Sequence, residues 1–384
     1  MKVIVNGTIL TPEGRLTGHS LLFNEKIIGI QKGEAPDGCE TYDAKGLLVA
    51  PGLIDLHIHG YLGDDVSDGD EGGLRRMAAG LIENGVTAFL PTTMTLSWEE
   101  IIRAFDTARS LRPETRTPAF RGSEILGVHA EGPFINPKRK GAQSADHIQA
   151  PDAGKILTHK DIVKIITMAP EMPGGLDFIK TVTEKSDIVV SIGHTDAGFE
   201  EAMAAIEAGA RHITHTFNAM TGLHHRNPGV VGAALTADVV CELIADTFHM
   251  HPGLFALLQS AKGEKLVLIT DCTRAGGLGD GDYTLGGQAI HVKGVESRLV
   301  DGTIAGSVLK LNQAVRNFSR HTGLPLEKAI QYASLHAARA IGMADTKGSL
   351  KAGKDADIAL FDEDMTAHAC FVRGQIKYER GNAP

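Results

Sequence analysis

Short apolar runs separated by turn residues occupy both ends of the chain. The runs are rich in β-branched residues, turn pairs such as Asn6-Gly7 and Arg373-Gly374 divide them, and neither end carries a helical period of useful length. We therefore expect the two ends to meet in one small β-sandwich domain, formed by residues 1–50 and 345–384. The predicted strands are Lys2–Val5, Thr8–Leu10, Ser20–Phe23, Lys26–Ile30, Leu47–Val49, Asp357–Phe361, Ala369–Arg373 and Gln375–Tyr378.

The middle of the chain follows a different pattern, in which apolar runs alternate with amphipathic stretches of about 10–15 residues, typical of strands alternating with helices. The predicted strands are Leu53–Ile58, Ala88–Pro91, Ile125–His129, Ile188–Ile192, His212–His215, Cys241–Ile244 and Leu266–Ile269. The predicted helices between them are Gly73–Asn84, Trp98–Ser110, Asp161–Met168, Gly198–Glu207 and Pro252–Ala261.

This alternation predicts a parallel α/β fold for residues 51–344. The number of strand–helix units suits a closed (β/α)8 TIM-type barrel better than an open doubly wound sheet. The two nucleotide-binding fingerprints that would favour the open sheet, GxGxxG and GxxxxGK[ST], are both absent from the sequence. We expect Tyr283–Gly302 to form a hairpin insertion after the last strand, and Leu309–Thr322 and Leu326–Ile341 to form closing helices.

Almost every predicted barrel strand ends in a histidine or a carboxylate. The carboxyl ends of parallel barrel strands meet at one mouth, where such enzymes keep their active sites. Each residue alone has an ordinary explanation as a cap, a turn or a core histidine, but their joint occurrence predicts a metal site. The mixed nitrogen and oxygen donors suit Zn2+ or Fe2+. The residues are His57, His59, Glu131, His194, His215 and Asp271.

The composition of the chain limits the kinds of partner and the compartment that we expect for the protein. The formal net charge of −9 argues against nucleic acid, and no apolar window reaches the roughly 18 residues of a membrane span. The N-terminal apolar run is broken by Asn6-Gly7, so we do not expect a signal peptide. The four cysteines are scattered without a CxxC pair, which favours a reduced, cytoplasmic chain over one with two disulfides.

Several segments resemble the amidohydrolase superfamily, and more narrowly its N-acetylglucosamine-6-phosphate deacetylases. The first-strand segment Pro51-Gly52-Leu53-Ile54-Asp55-Leu56-His57-Ile58-His59-Gly60 is similar to the superfamily motif. The segments that are similar to the narrower family are residues 127–141, His215-Thr-Phe-Asn-Ala-Met220, residues 226–234, residues 270–278 and Gly302-Thr-Ile-Ala-Gly-Ser307. The resemblance extends from Val5 to about Arg373.

The resemblance implies a cytoplasmic hydrolase of amino-sugar catabolism that removes the acetyl group of N-acetyl-D-glucosamine 6-phosphate. It implies that Glu131, His194 and His215 hold the principal Zn2+ or Fe2+, that His57 and His59 are able to hold a second cation, and that Asp271 is the catalytic acid and base. It also implies a homodimer, with Arg226 acting across the interface. The implied substrate contacts are Ala142, Gln143, Asn218, Ala219, Arg226, His249, Ala305, Gly306 and Ser307.

Two residues near the site differ from those of many relatives, and the role of a third is left open by the sequence. Many relatives have a histidine, thought to polarise the acetyl carbonyl, where this chain has Gln143, whose amide can also donate a hydrogen bond. In many relatives a glycine follows the aspartate that aligns with Asp246, and here that residue is Thr247. His129 lies two residues before Glu131, and we leave open whether it supports the ligands, faces the substrate or is a buried strand histidine.

Two other functions remain open from the sequence. One is a cyclic-amide or N-acyl-amino-acid hydrolase, a class that often bridges two metals with a carboxylated lysine after the fourth strand. Here Glu131 occupies the bridging role. The other is an assembly protein that has kept the barrel and lost catalysis, which the retained ligand residues disfavour.

Overall fold

The computed structural model describes residues 1–33 and 36–381, and in it the chain ends form two facing sheets, of which the six-stranded one contains strands from both ends. Strands from the beginning and the end of the chain pair directly, Leu48–Pro51 running antiparallel to Ile358–Phe361. A core that includes Phe23, Val49 and Phe371 fills the space between the sheets. The four-stranded sheet contains Lys2–Val5, His19–Phe23, Ile27–Lys32 and Glu40–Asp43. The six-stranded sheet contains Thr8–Thr11, Gly14–Leu16, Leu48–Pro51, Ile358–Phe361, Ala367–Val372 and Gln375–Glu379.

Eight parallel strands form the barrel that the alternation predicted, and the first strand closes against the last. The main-chain N–H of Asp271 donates to the carbonyl of His57 at 2.8 Å, and Ile58 pairs with Cys272. The fold is therefore the expected (β/α)8 barrel with a small β-sandwich. The barrel strands are Leu53–Ile58, Val86–Thr93, Val128–Glu131, Val163–Met168, Val189–Ile192, His212–Ile213, Val240–Ile244 and Leu266–Ile269.

Helices connect the barrel strands, and their ends follow local sequence. Asp70 accepts from the N–H groups of Gly72 and Gly73, and Ser97 and Glu100 form a capping box. The α-helices are Glu71–Ile82, Trp98–Thr115, Ala153–Leu157, Gly175–Lys185, Phe199–Glu207, Gly229–Thr236, Phe255–Lys262, Leu311–Thr322, Leu326–Ala329 and Leu335–Ala340. The 3-10 turns are Val66–Asp68, Pro137–Arg139, Ala145–His147, Pro252–Leu254, Gly263–Lys265 and Ile330–Ala333, and short strands lie at Gly60–Tyr61, Asp64–Asp65 and Glu124–Ile125.

The sequence predicted a helix at Asp161–Met168, and this prediction is wrong. The segment contains the fourth barrel strand, Val163–Met168. Five of its six residues are buried, and Lys164 is the intermediate one. A strand that is buried on both faces shows no alternation of polar and apolar residues. The spacing of its apolar residues therefore resembled a helical period, and the segment was predicted as a helix.

The expected closing helix Leu326–Ile341 is also wrong as one element, because Ser334 interrupts it with φ −139° and ψ −83°. The backbone of Gly348 packs against this point, where an added Cβ would lie 2.8 Å from the Leu335 Cα. This tertiary contact between distant parts of the chain is invisible to a local helical pattern.

The expected insertion is a three-stranded antiparallel sheet, Gly281–Leu285, Gln288–Lys293 and Glu296–Leu299. Its apolar side packs on Met94 and Ala142, so it reaches the barrel mouth. The division of the chain at residues 50 and 345 remains a proposal, supported by the pairing of the two chain ends. In the described part of the chain, no helix combines the length and hydropathy needed to cross a membrane.

Candidate metal centre

The predicted ligand residues lie at or just after the ends of five barrel strands and converge at one mouth. Three of them have left-handed backbone conformations, with φ of 48° at His194, 27° at His215 and 51° at Asp271. Residues other than glycine rarely adopt such angles, and their strain is commonly found at functional sites. In the turns that follow these strands, the strained backbone directs the side chains into the barrel mouth. This strain lowers the stability of the folded protein.

Glu131, His194 and His215 form one triangle of donor atoms. Glu131 Oε1 lies 3.3 Å from His194 Nε2 and 3.1 Å from His215 Nε2, and the two nitrogens are 3.0 Å apart. Ligands that bind one Zn2+ tetrahedrally at about 2.0–2.1 Å are separated by roughly 3.3 Å. The three buried donors therefore fit a single divalent cation.

A second triangle shares the same glutamate. His57 Nε2 and His59 Nε2 are 3.3 Å apart, and each lies 3.3 Å from an oxygen of Glu131. Asp271 Oδ1 lies 3.1 Å from His59 Nε2. Glu131 thus stands between two groups of ligands, in the position of a bridging carboxylate.

Backbone carbonyls fix the protonation of two of these histidines. His194 Nδ1 lies 2.9 Å from the Arg139 carbonyl, and His59 Nδ1 lies 3.2 Å from the Thr92 carbonyl. A carbonyl oxygen only accepts, so both Nδ1 atoms carry the proton and both Nε2 atoms are unprotonated in the neutral ring. Metal-binding histidines are held in this way.

The two carboxylates of the centre are ionised at neutral pH. Burial raises the pKa of each group, but the histidines beside them outweigh that effect. They hold the pKa of Glu131 well below its usual range and lower the pKa of Asp271 to about 2. Asp271 is therefore in the ionised form that a proton acceptor requires.

A cavity of about 350 Å³ opens above this centre. Gly306 forms part of its wall with φ 56°, and an added Cβ would meet the Asp271 carbonyl at 3.0 Å, which explains the glycine. The predicted contacts that line the cavity are Ala142, Gln143, Asn218, Ala219, His249 and Gly306. Ala305 and Ser307 are fully buried behind the wall, and Arg226 is exposed on the surface and does not line the cavity.

The two departures from the family pattern have clear positions. Gln143 accepts from the Thr95 N–H at 2.6 Å and donates to Glu131, leaving its second amide N–H for the cavity. Thr247 adopts φ 70°, so the turn keeps a conformation suited to glycine. That turn allows Asp246 Oδ2 to hold His249 Nδ1 at 2.6 Å.

Several residues at the site were missed by sequence reasoning. Met94, Leu285, Thr303 and Ile304 line the cavity, and no local motif marks them. Lys138 and Arg139 were not missed, because their basic run is a candidate for phosphate contact from the sequence; both line the cavity and both pair with Asp196. Glu242 lies fully buried beneath His57, and its charge in an apolar strand was a signal that could have been used.

Two further groups of buried side chains have a composition that could hold a cation, but polar atoms in each are paired with other parts of the protein. His129, beside His57 and Glu242, is paired through Nδ1 with the Leu56 carbonyl and through Nε2 with Thr167, so it supports the site from below. At the domain junction, Glu124, Asp355 and Asp357 surround the ammonium of Lys347 at 2.7–3.1 Å.

Residues 48–377 match the amidohydrolase family. An N-acetylglucosamine-6-phosphate deacetylase of Lysinibacillus sphaericus is 37% identical over 99% of this chain and 98% of its own length. One from Bacillus subtilis is 38% identical over 98% of this chain and 94% of its own length. An N-acetylgalactosamine-6-phosphate deacetylase of Escherichia coli O157:H7 is 35% identical over 96% of this chain and 97% of its own length.

Solved structures agree with this likeness. The crystal structure of N-acetylglucosamine-6-phosphate deacetylase from Pasteurella multocida superposes with a TM-score of 0.92 at 30% identity, covering 98% of this chain and 99% of that one. A mutant of the Mycobacterium smegmatis deacetylase in complex with N-acetyl-D-glucosamine-6-phosphate superposes with a TM-score of 0.90 at 30% identity, with the same coverage. The likeness therefore includes the barrel and both chain ends.

Proposed function

The chain belongs to the amidohydrolase family and to its N-acetylglucosamine-6-phosphate deacetylase branch, and we propose that it hydrolyses the acetamide of N-acetyl-D-glucosamine 6-phosphate. The products are D-glucosamine 6-phosphate and acetate, a step of amino-sugar catabolism. The observation that carries this proposal is the triangle of Glu131, His194 and His215, with the Asp271 carboxylate facing the same cavity.

Amide hydrolysis requires a nucleophile, a polarised carbonyl and a proton for the departing amine. When bound, a divalent cation lowers the pKa of a coordinated water to about 7, which supplies the nucleophile near neutral pH. Asp271 would accept a proton from the attacking water and return it to the sugar nitrogen, acting first as base and then as acid. The free amide N–H of Gln143 orients the acetyl oxygen.

Glu131, His194 and His215 would hold the principal cation in this function. Their imidazole and carboxylate donors suit Zn2+ or Fe2+, and the family is metal-dependent. His57 and His59 would serve a second cation. The cytoplasm is the compartment that we propose, because all four cysteines are free thiols.

The sugar phosphate requires donors beside the cavity. Asn218, Ala219 and His249 would contact the sugar and its phosphate, with Gly306 in the wall and Ala305 and Ser307 supporting it. We propose that the protein forms a homodimer in which Arg226 contacts the phosphate of the substrate that is bound by the partner subunit. Its exposure, beside the exposed Leu223, supports a role at an interface.

Acetate release from a panel of substrates tests the proposed function. We expect rapid release from N-acetylglucosamine 6-phosphate and slower release from the unphosphorylated sugar. The galactosamine epimer belongs in the panel because of the Escherichia coli relative. Hydrolysis of dihydroorotate or a hydantoin instead would favour the cyclic-amide alternative. The fourth strand ends at Met168 and Ala169 follows, so it offers no lysine there for carboxylation.

A subunit-mixing experiment tests the role of Arg226. Arg226→Ala should raise KM for the phosphorylated sugar and leave the unphosphorylated sugar unaffected. Co-expression of Arg226→Ala with Asp271→Asn chains should restore activity, because a hybrid dimer then has one complete site. Hybrid dimers without recovered activity would place Arg226 in its own subunit's site, and equal losses on both sugars would remove it from phosphate binding.

A further inference from the structure

Glu242 is a buried carboxylate that the proposed reaction does not use. It lies in the seventh barrel strand, Val240–Ile244, and its side chain is fully buried and does not line the cavity. Burying an ionised carboxylate is costly unless it is paired and hydrogen-bonded. The contacts of Glu242 therefore indicate why the residue is charged.

One oxygen of Glu242 contacts both groups of ligands. Oε2 lies 3.0 Å from His57 Nδ1 and also accepts from the main-chain N–H of His215 at 3.0 Å. The second oxygen, Oε1, has no hydrogen-bond partner and lies 3.8 Å from His212 Nδ1. The carboxylate is thus directed at His57 and at the turn that carries His215.

This contact determines which nitrogen of His57 is available to a cation. An ionised carboxylate only accepts, so Nδ1 of His57 carries a proton and Nε2 of the neutral ring carries the lone pair. That Nε2 faces Glu131 Oε1 and His59 Nε2, each at 3.3 Å. His59 and His194 have neutral carbonyl partners, whereas His57 has a charged one.

The charges of the region lead to the same conclusion. In the described residues, the ion-pair partners of Glu131, Asp271 and Glu242 are all histidines. When the surrounding histidines are neutral, as metal ligands must be, one divalent cation would leave these three carboxylates with one negative charge in excess. A second cation beside His57 and His59 would remove that excess.

Building on the proposed function, we propose that Glu242 is a positioning residue that makes His57 a ligand and so retains a second divalent cation at His57, His59 and Glu131. The carboxylate orients the imidazole and raises the basicity of its Nε2, as outer carboxylates do for metal-binding histidines. Glu242 touches neither the substrate nor the reacting atoms.

The cation does not instead lie among His57, His129 and Glu242. Both nitrogens of His129 are already paired with the Leu56 carbonyl at 3.0 Å and with Thr167 Oγ1 at 2.7 Å. The remaining competing possibility is a permanent ion pair between a protonated His57 and Glu242, which would exclude a cation from His57.

Zn2+ titration of the full-length protein, stripped with a chelator and followed by a competing metal indicator, distinguishes these possibilities. The wild type should bind two equivalents. Glu242→Gln is isosteric and should keep the first equivalent while weakening the second about 10–100-fold. Glu242→Leu, which has no acceptor, should lose the second equivalent altogether.

Ser191→Ala is a matched control in the same buried network. Ser191 Oγ lies 3.0 Å from His212 Nδ1 and 2.6 Å from Thr214 Oγ1, and it contacts no metal-ligand residue. This variant should bind both equivalents normally. Circular dichroism of each stripped variant, together with retention of the first equivalent, separates loss of the second site from misfolding.

The proposal is overturned if the wild type binds one equivalent, or if Glu242→Gln binds the second as tightly as the wild type does. These results do not depend on the substrate. Acetate release with unchanged second-site binding in Glu242→Gln would refute this inference alone. A Glu242-dependent second equivalent in a protein that releases no acetate would refute the proposed function alone.

Discussion

Asp271 is the residue on which the proposed proton transfer depends, because its carboxylate lines the cavity and lies 3.1 Å from His59 Nε2 and 3.6 Å from His57 Nε2. Asp271→Asn keeps the shape and removes the basic oxygen. We expect turnover to fall by about 10²–10⁴-fold, the usual contribution of general acid–base catalysis, while the protein keeps its metal. Steady-state acetate release and metal content measure the two effects. Near-normal turnover would remove Asp271 from proton transfer.

Thr247 holds a conformation that suits glycine better, with φ 70° on a β-branched residue. Relief of that strain should outweigh the greater chain entropy of glycine, so Thr247→Gly should raise the free energy of unfolding by about 1 kcal/mol. Urea unfolding measures the change. Thr158, exposed and at φ −65°, is the control, and Thr158→Gly should destabilise the protein. Destabilisation by both substitutions would show that the turn at Thr247 is not strained.

The ligand residues could be predicted as a set, because each lies at or just after the end of an apolar run that the pattern identifies as a strand. Cavity residues such as Met94 and Leu285 could not, because the sheet insertion brings Leu285 to the mouth from far along the chain. For Arg226 the sequence identified the residue but could not predict its position in the fold. Its motif is recognisable, but the fold of the chain places it outside the cavity lining.

At the scale of elements, His336 makes the short helix Leu335–Ala340 sensitive to pH. Burial against the last barrel strand lowers the pKa of His336 to about 4. A histidine whose pKa is lower in the folded state stabilises the protein above its unfolded pKa of 6.5, and this contribution is lost as pH falls toward 4. Between pH 7 and pH 5 we expect the protein to lose about 2 kcal/mol of stability through this group.

His336→Asn tests this effect, because its amide can keep the hydrogen bond to the Leu266 carbonyl. Urea unfolding of metal-free wild type and variant at pH 7 and pH 5 gives the comparison. The stability of the variant should depend less on pH by about that amount. Parallel losses in both proteins would contradict the assignment to His336.

The regular elements were predictable where periodicity and burial agree. Most end strands and most barrel strands were found, because their β-branched runs end at turn residues, whereas Gly14–Leu16 and Glu40–Asp43 were not predicted. Val163–Met168 was mistaken for a helix because burial on both faces removes the alternation. The break at Ser334 depends on a contact with Gly348, which no local pattern contains.

At the scale of the whole molecule, Lys347 joins the barrel to the β-sandwich. Its buried ammonium contacts Glu124 beside the barrel and Asp355 and Asp357 at the start of the C-terminal strands. Lys347→Met removes the one ammonium that these three buried carboxylates share, and the side-chain cations that remain beside Glu124 and Asp355 are longer contacts, at 3.3–3.4 Å. We expect the free energy of unfolding to fall by about 3–5 kcal/mol, as measured by urea denaturation.

Lys351→Met serves as the control for this prediction. Lys351 is exposed on the surface of the same segment, so its replacement should change stability by less than about 0.5 kcal/mol. A similarly small change for Lys347→Met would show that the junction does not depend on this ion cluster.

The overall architecture was predictable because the alternation in the middle of the chain and the β-rich ends each indicate one fold. The closure of the barrel and the position of the insertion over its mouth were not, because they depend on long-range contacts such as the pairing of Ile58 with Cys272.

The central claim is that the ligands at the barrel mouth hold a cation with which the protein hydrolyses the acetamide of N-acetylglucosamine 6-phosphate. The most direct test compares acetate release by the full-length protein as purified, after chelation, and after Zn2+ or Fe2+ is restored. We predict stoichiometric acetate and glucosamine 6-phosphate, loss of activity with chelation, and recovery with the metal. Full activity without metal, or no acetate from the metal-loaded protein, would contradict it.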